Sequence, residues 1–346
     1  MPGRDDEGRA GFLSRRGFLK VASVAVAAGA VTMCTAEQQA LGRQPRLKKV
    51  TPFVTPNDDF YLVAVDPSFR PSFDAGNIAQ NWTLEVEGPA GTREFSYESL
   101  TGKSSTDFLY TFECIGNPVG GTLIGNARWN GIPMKGFLEE TGLLTSSVKS
   151  VMFYGLDDFY SSISIERVLD DYSFLATQMN KEPLPAAHGF PVRTILPDLY
   201  GMKQPRWLKR IVLQEKSSTT SFWEKRGWAG EVPVQPTSRI DPLDSIPAGK
   251  PHDVTGIAFA GVRGIQRVEV SLDGGAHWVD CELEQGGKPN EWATWKYRWE
   301  RPGTGRATLE VRTTDGTGTV QTAQRTDTFP AGATGYDFED VRVTPS

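Results

Sequence analysis

Cys114 stands where an apolar run, residues 108–112, gives way to the turn Cys114-Ile115-Gly116-Asn117-Pro118-Val119-Gly120-Gly121. Such a junction puts a side chain at the mouth of a cleft, and the glycines let a bulky ligand approach the backbone. A thiol placed there can act as a nucleophile if a base lies beside it, or it can be a small buried apolar group. A second concentration of chemistry follows, in which His188, Arg193, Lys203, Arg206 and Lys209 fall within 22 residues among Pro and Gly turns. Guanidinium and ammonium groups so arranged make charge-assisted hydrogen bonds to a phosphate or another anion; the alternative is a solvated basic loop.

The ligand count narrows what a metal could do. The chain has three Cys (Cys34, Cys114, Cys281) and three His (His188, His252, His277), with no CxxC pair and no HxxxH pair. Zinc ribbons, iron–sulfur ferredoxins and zincins cannot be built from this set, and no CxxCH motif attaches a heme. Any metal must be held by one or two protein ligands. The net charge of −5 speaks against a nucleic-acid partner, which would need a basic face.

These residues must be positioned by short elements. The 346 residues, 36 of them Gly and 23 Pro, suffice for two domains with many turns. At the N-terminus, Ser14-Arg15-Arg16-Gly17-Phe18-Leu19-Lys20 precedes 13 uncharged residues, 21–33, and small side chains around Cys34-Thr35-Ala36. This is the layout of a signal peptide over 1–36, its apolar run falling short of the roughly 18 residues that cross a bilayer. The paired arginines give it the twin-arginine form, which exports folded, cofactor-loaded proteins. The expectation is a periplasmic or otherwise extracytoplasmic protein, with membrane association open. Loss of five basic and three acidic residues leaves a mature charge of −7.

After a polar, Pro-containing arm over 37–58, the pattern predicts strands over 82–86, 107–113 and 149–155 and helices over 134–141 and 164–170, a mixed α+β unit. Five prolines in 232–251 mark a linker. Beyond it the pattern is all β: 267–272 alternates, Asp273-Gly274-Gly275 turns, 277–283 resumes, Trp292, Trp295 and Trp299 occupy the next strand, and 307–311 follows. An immunoglobulin-like sandwich of about 90 residues is the natural fit. The tail from Ala331 reads as irregular.

Several ordered pieces carry a resemblance. They are Thr55-Pro56-Asn57-Asp58, the Cys-x-Gly-Asn loop at Cys114, Ala127-Arg128-Trp129-Asn130-Gly131-Ile132-Pro133, Gly155-Leu156-Asp157, and residues 179–185. His188-Gly189-Phe190-Pro191-Val192-Arg193, Trp207-Leu208-Lys209 and residues 268–275 complete the set. From about residue 50 to 330 the chain resembles the sulfite oxidase family of molybdopterin-dependent oxidoreductases. The resemblance implies a molybdopterin-binding catalytic domain over 37–235 and, over 236–346, an immunoglobulin-like domain that often mediates dimerisation in the family. It implies that Cys114 ligates molybdenum and is catalytic, a soft thiolate beside the pterin's own sulfurs. Tyr61, Asp157, His188 and Arg193 would bind the pterin and its phosphate, and Gln204, Pro205 and Arg206 would grip the same cofactor.

Sulfite-oxidising members place one arginine in a Phe-x-Arg-Asn-His stretch and another after the Cys-x-Gly-Asn loop. Here those positions hold Val63 and Val119. A dianion left without charge-assisted partners loses several kcal/mol of binding, so a less charged substrate is expected, in a pocket of Val63, Val119 and aromatic groups. Trp228 falls near a tyrosine that assists proton and electron transfer in sulfite oxidases, and Lys296 is a candidate substrate-facing cation from the second domain. The expected activity is two-electron redox of oxo-transfer type on a small molecule. Electrons would pass to an external carrier such as a c-type cytochrome or a membrane redox partner. The rival readings are a sulfite or other sulfur-compound dehydrogenase or sulfoxide reductase, and a non-catalytic exported binding module that keeps the fold alone.

Overall fold

The computed structural model describes residues 48 and 50–345, apart from 67–68, 75, 104 and 218; the predicted signal peptide, with Cys34, lies outside the described residues. The first unit carries β1 (Thr83–Gly88), β2 (Gly91–Ser96), β3 (Thr106–Glu113), β4 (Ile124–Pro133), β5 (Ser150–Gly155), β6 (Tyr160–Ser164), β7 (Phe174–Met179), β8 (Glu182–Pro183), β9 (Arg193–Ile195) and β10 (Leu208–Gln214). One sheet runs β2-β1-β10-β5-β6 and the other β3-β4-β7-β8, with β9 also on β7. Only the β1–β10 pair among these is parallel.

Local sequence explains the elements that matter. β5 reads Ser-Val-Met-Phe-Tyr-Gly and is buried along nearly its whole length, as an apolar central strand should be. β3 is exposed where it starts and fully buried over its last four residues, so it delivers Glu113 and then Cys114 into the interior. The helix Met134–Thr141 buries Met134, Phe137, Leu138 and Thr141 at helical spacing and stops at Gly142, whose φ of 67° a left-handed cap requires. The expected mixture of strands and short helices is present, with strand dominant.

The second unit is a sandwich of β11 (Thr237–Ile240), β12 (Ile246–Pro247), β13 (His252–Phe259), β14 (Ile265–Ser271), β15 (Val279–Asp280), β16 (Glu282–Gly286), β17 (Ala293–Trp299), β18 (Gly305–Asp315) and β19 (Asp337–Thr344). Sheet β11-β13-β17-β16 faces sheet β12-β19-β18-β14-β15 across a core that includes Val254 and Trp295 on one side and Val268, Leu309 and Val341 on the other. Three expectations are corrected. The proline-rich 232–251 holds β11 and β12. Residues 277–283 split between the two sheets, because the chain changes sheet at Cys281. The tail is not irregular: β19 pairs with β18 from Gly305↔Val343 to Val311↔Asp337. Its buried Val341 and Val343 are interleaved with Glu339, Asp340 and Arg342, which masks the alternation.

The two units share a third apolar cluster. Ile115, Ile124, Tyr200, Met202 and Trp228 pack there against Ile257, Phe259 and Trp292 of the sandwich. Polar ties reinforce it: the Trp292 backbone N–H donates to Thr111 Oγ1 (2.9 Å), and Arg239 Nη1 donates to the Gly121 carbonyl (3.0 Å).

Candidate active site

Cys114 follows β3 directly and opens a closed loop. Its N–H donates to the Leu123 carbonyl (2.9 Å), and its carbonyl accepts from Asn117 N–H (2.9 Å). The Asn117 side chain accepts from Leu123 N–H (2.9 Å) and donates to Glu113 Oε1 (2.9 Å), so one amide ties both ends of the turn. A Cβ at Gly121 would meet Asn117 Oδ1 at 2.3 Å, which is why the loop needs a glycine there. Burial pushes the Glu113 carboxyl up to about 8, against the Asn117 hydrogen bond.

The thiol borders a cavity enclosing about 950 Å³ of empty space, its open mouth included. Its lining mixes polar residues, Tyr61, Asp157, His188, Arg193, Gln204 and Arg206, with apolar ones that include Val63, Ile115, Phe159, Met202, Trp223 and Trp228. His188 is buried, its Nε2 3.0 Å from the Asn57 carbonyl, and its own carbonyl accepts from Arg193 Nη1 (3.1 Å). The Arg193 guanidinium lies 4.2 Å from the Phe112 ring centroid. Arg206 donates from Nη1 to Ala187 O (2.9 Å) and from Nη2 to Val63 O (2.9 Å). Gly189, at φ 116°, fits between the two arginines: a Cβ would lie 3.0 Å from Arg193 Cβ and 3.1 Å from Arg206 Cβ.

Burial sets the electrostatics. Arg193 is brought down to about 9 by desolvation and then by the like charge of Arg206, yet stays cationic at neutral pH. Arg206 comes down to about 10 by desolvation, opposed by Asp157. The Asp157 carboxyl is raised by burial and held back by Arg206. The Tyr61 phenol is pushed well up by desolvation and by the charge of Cys114, so it keeps its proton.

Nine of the residues singled out from sequence therefore meet at one cavity: Tyr61, Val63, Cys114, Asp157, His188, Arg193, Gln204, Arg206 and Trp228. Gln204 turns its amide group inward, donating to Leu199 O (2.7 Å) and Tyr110 Oη (3.2 Å). Three others are not among the lining residues. Pro205 is buried beneath the floor, where its carbonyl accepts from Thr194 N–H (3.1 Å). Val119 is half-buried in the Cys114 loop, beside exposed Pro118. Lys296 corrects the expectation of a substrate-facing cation: it sits on β17 and pairs with Glu284 (2.7 Å) and Glu282 (3.6 Å) on neighbouring β16. Sequence reading passed over Ile115, Phe159, Met202 and Trp223, apolar residues whose convergence depends on long-range packing. Cys114 and Cys281 are not disulfide-bonded.

Among the described residues no group of three His, Cys, Asp or Glu side chains could hold a metal by itself. A lone thiolate suits a metal whose cofactor brings further ligands. The cavity also has the donors for an anionic group: two mutually repelling guanidiniums, and Arg193 Nε buried without a hydrogen-bond partner. Comparison with known proteins agrees. Residues 71–223 match the oxidoreductase molybdopterin-binding domain, and residues 231–326 match the Mo-co oxidoreductase dimerisation domain. Fold and site thus have the make-up of a molybdopterin-binding oxidoreductase domain joined to a Mo-co dimerisation domain.

Its relatives narrow the class. The chain is 28% identical over 299 residues to mitochondrial sulfite oxidase of Drosophila melanogaster, covering 71% of this chain and 50% of that one. It is 29% identical over 296 residues to the human enzyme (71% and 53%), and 28% over 311 residues to NADH nitrate reductase 2 of Phaseolus vulgaris (71% and 34%). The chain spans about half the length of the sulfite oxidases it matches. In fold it is similar to the sulfane dehydrogenase SoxCD of Paracoccus pantotrophus, with a TM-score of 0.73, 21% identity, and coverage of 90% of this chain and 92% of that one. The chain belongs to the sulfite oxidase family of molybdopterin-dependent oxidoreductases.

Proposed function

We propose that the protein performs two-electron, oxo-transfer-type redox chemistry on a small molecule less charged than sulfite, with Cys114 as the protein ligand to molybdenum. The observation that carries the reading is the make-up of the cavity wall. Its lining cations among the described residues are Arg193 and Arg206, whose guanidiniums already donate to the His188, Ala187 and Val63 carbonyls, while most of the remaining lining is apolar and aromatic and includes Val63. A sulfite dianion beside a bound cofactor would find no further lining guanidinium there, Val63 standing at the position of one such arginine.

The chain's residues divide the work. The cofactor, when bound, supplies the redox chemistry. Cys114 offers the thiolate, Arg193 and Arg206 hold negative charge, and Asp157 balances Arg206. Tyr61 retains its phenolic proton and offers an O–H donor inside the cavity. Val63, Phe159, Trp223 and Trp228 bind the apolar body of the substrate and exclude water.

Electrons are exchanged with an external carrier, such as a c-type cytochrome or a membrane redox partner. The sandwich, of immunoglobulin-like type, joins two copies as a homodimer, which the match to a dimerisation domain supports. The twin-arginine pattern at Arg15-Arg16 supports export to the periplasm or another extracytoplasmic place.

Steady-state assay tests the substrate claim: sulfite should turn over below about 1 per second, and turnover at ordinary enzyme rates would overturn it. Cys114→Ser tests the ligand. The variant should fold but lose activity toward every substrate the parent accepts, and retained activity would count against thiolate ligation. Metal analysis of protein matured in a molybdopterin-competent cell should find close to one molybdenum per chain; under a tenth would favour a binding module.

A further inference from the structure

Lys203 belongs to the basic cluster but does not line the cavity. It lies between Met202 and Gln204, both of which line the cavity, yet it is only 1% exposed and points the other way. Its Nζ donates to Ser221 Oγ (2.9 Å) and the Ser162 carbonyl (3.4 Å), and it pairs with the Glu224 carboxylate. Glu224 Oε2 in turn accepts from Ser221 N–H (2.8 Å).

Glu224 opens a single 3-10 turn, Glu224–Arg226, that ends at Gly227 with φ 91°. Trp223 and Trp228 flank this turn, the Trp228 N–H donating to the Trp223 carbonyl (3.3 Å), and both residues line the cavity. The outer end is fixed by Phe329, whose ring stacks edge-on against Trp228 at 5.2 Å, and by Ala229 N–H donating to Pro330 O (2.9 Å). A buried ion pair is weak support for stability, because desolvation offsets the attraction; fixing a register is its best-attested use.

We propose that Lys203 and Glu224 are positioning residues which hold the Trp223–Trp228 wall at a set distance from the cofactor floor and so determine the width of the substrate pocket. The pair spans the two structures that matter, one end in the 201–206 floor turn and the other in the wall turn. Without the ammonium, a part-buried carboxylate loses its counter-charge and turns toward water, carrying the wall turn with it. The statement about pocket width rests on the functional reading above; the statement about the wall does not.

The test uses holoenzyme of Lys203→Met and, should that variant fail to fold, Glu224→Gln. Acrylamide quenching of tryptophan emission should rise in the variant by a measurable fraction. That increment should vanish when both are made in a Trp223→Phe, Trp228→Phe background, since Trp292, the other tryptophan of that cluster, is 1% exposed with its Nε1 donating to Phe53 O (2.9 Å), and the remaining six lie outside the cluster. General loosening would leave the increment in place in that background, and either that result or no increment at all overturns the proposal. Lys203→Arg should restore the parent's quenching. With methyl phenyl sulfoxide as probe and reduced methyl viologen as electron donor, KM should rise at least fivefold while kcat changes less than twofold. If the parent does not reduce the probe, the substrate reading loses support, and the quenching comparison still decides the wall.

Discussion

The two described cysteines have the same side chain and opposite surroundings. Cys114 borders a cavity that Arg193 and Arg206 also line. Cys281 lies at the point where the chain crosses between sheets, and burial, with Asp280 and Glu269 nearby, pushes its thiol up to about 12 from an ordinary 9. At pH 8 its thiolate fraction is roughly a thousandfold below that of an ordinary thiol, and the thiolate is the reactive form. Iodoacetamide at pH 8 should leave the Cys281 peptide almost unmodified in folded protein and modify it promptly in urea; equal rates would contradict the assigned environment. The same group gives a stability slope. The fold keeps the proton to a higher pH than the unfolded chain does, so this contribution is intact below about 9 and is lost as pH rises toward 12. Denaturation midpoints of Cys281→Ser should fall less over that window than those of the parent. What sequence could reveal at this scale followed chemistry: a thiol before a glycine turn and a clustered set of cations were visible as types. That Lys203 turns from the cavity while Arg193 and Arg206 line it was not visible, since the direction depends on Ser221 and Glu224 packed from another part of the chain.

Elements were legible where burial is one-sided or complete. The helix Met134–Thr141 stood out because its apolar spacing answers to one partner surface, and strand β5 because its apolar run is buried on both faces. β19 escaped because its outward positions carry charge and its inward ones are only Val341 and Val343 after Asp337. It nonetheless lies between β12 and β18, so both its edges are paired. Removing residues 337–346 would strip β18 of seven register partners and open Leu309 and Val311, now fully buried, to water. An open, apolar edge of that length invites aggregation. The truncated protein should be recovered mainly as insoluble material, and a soluble monomer with the parent's melting temperature would show that β19 is dispensable. β11 and β12 were hidden by their prolines, which sit outside the paired positions or at an edge, where a missing N–H costs little.

At the scale of the whole molecule, the sandwich is part of the site's foundation. Ile115 and Met202 line the cavity and also pack in the cluster shared with Ile257, Phe259 and Trp292, so the cofactor pocket and the domain interface have walls in common. Sequence periodicity separates two domains well and carries no signal about such a seam, because each contributing residue looks like core in its own unit. Arg239 is the polar counterpart of the seam. Buried at 6% exposure, it donates to Gly121 O at the end of the Cys114 loop and from Nη2 to Thr51 Oγ1 (2.7 Å), and it lies 3.6 Å from Asp241. Arg239→Met would leave Asp241 buried without its cation, a loss usually of about 3–5 kcal/mol. The lower end applies, because Asp241 keeps hydrogen bonds from the Thr51 N–H, from Thr51 Oγ1 and from Thr255 Oγ1. Since the apolar cluster is continuous across the seam, the parent should melt in one calorimetric transition, and Arg239→Met should lower that transition by several degrees without splitting it. Two separated transitions in the parent would mean that the domains fold independently, and an unchanged midpoint in the variant would mean that Arg239 bears no weight at the interface.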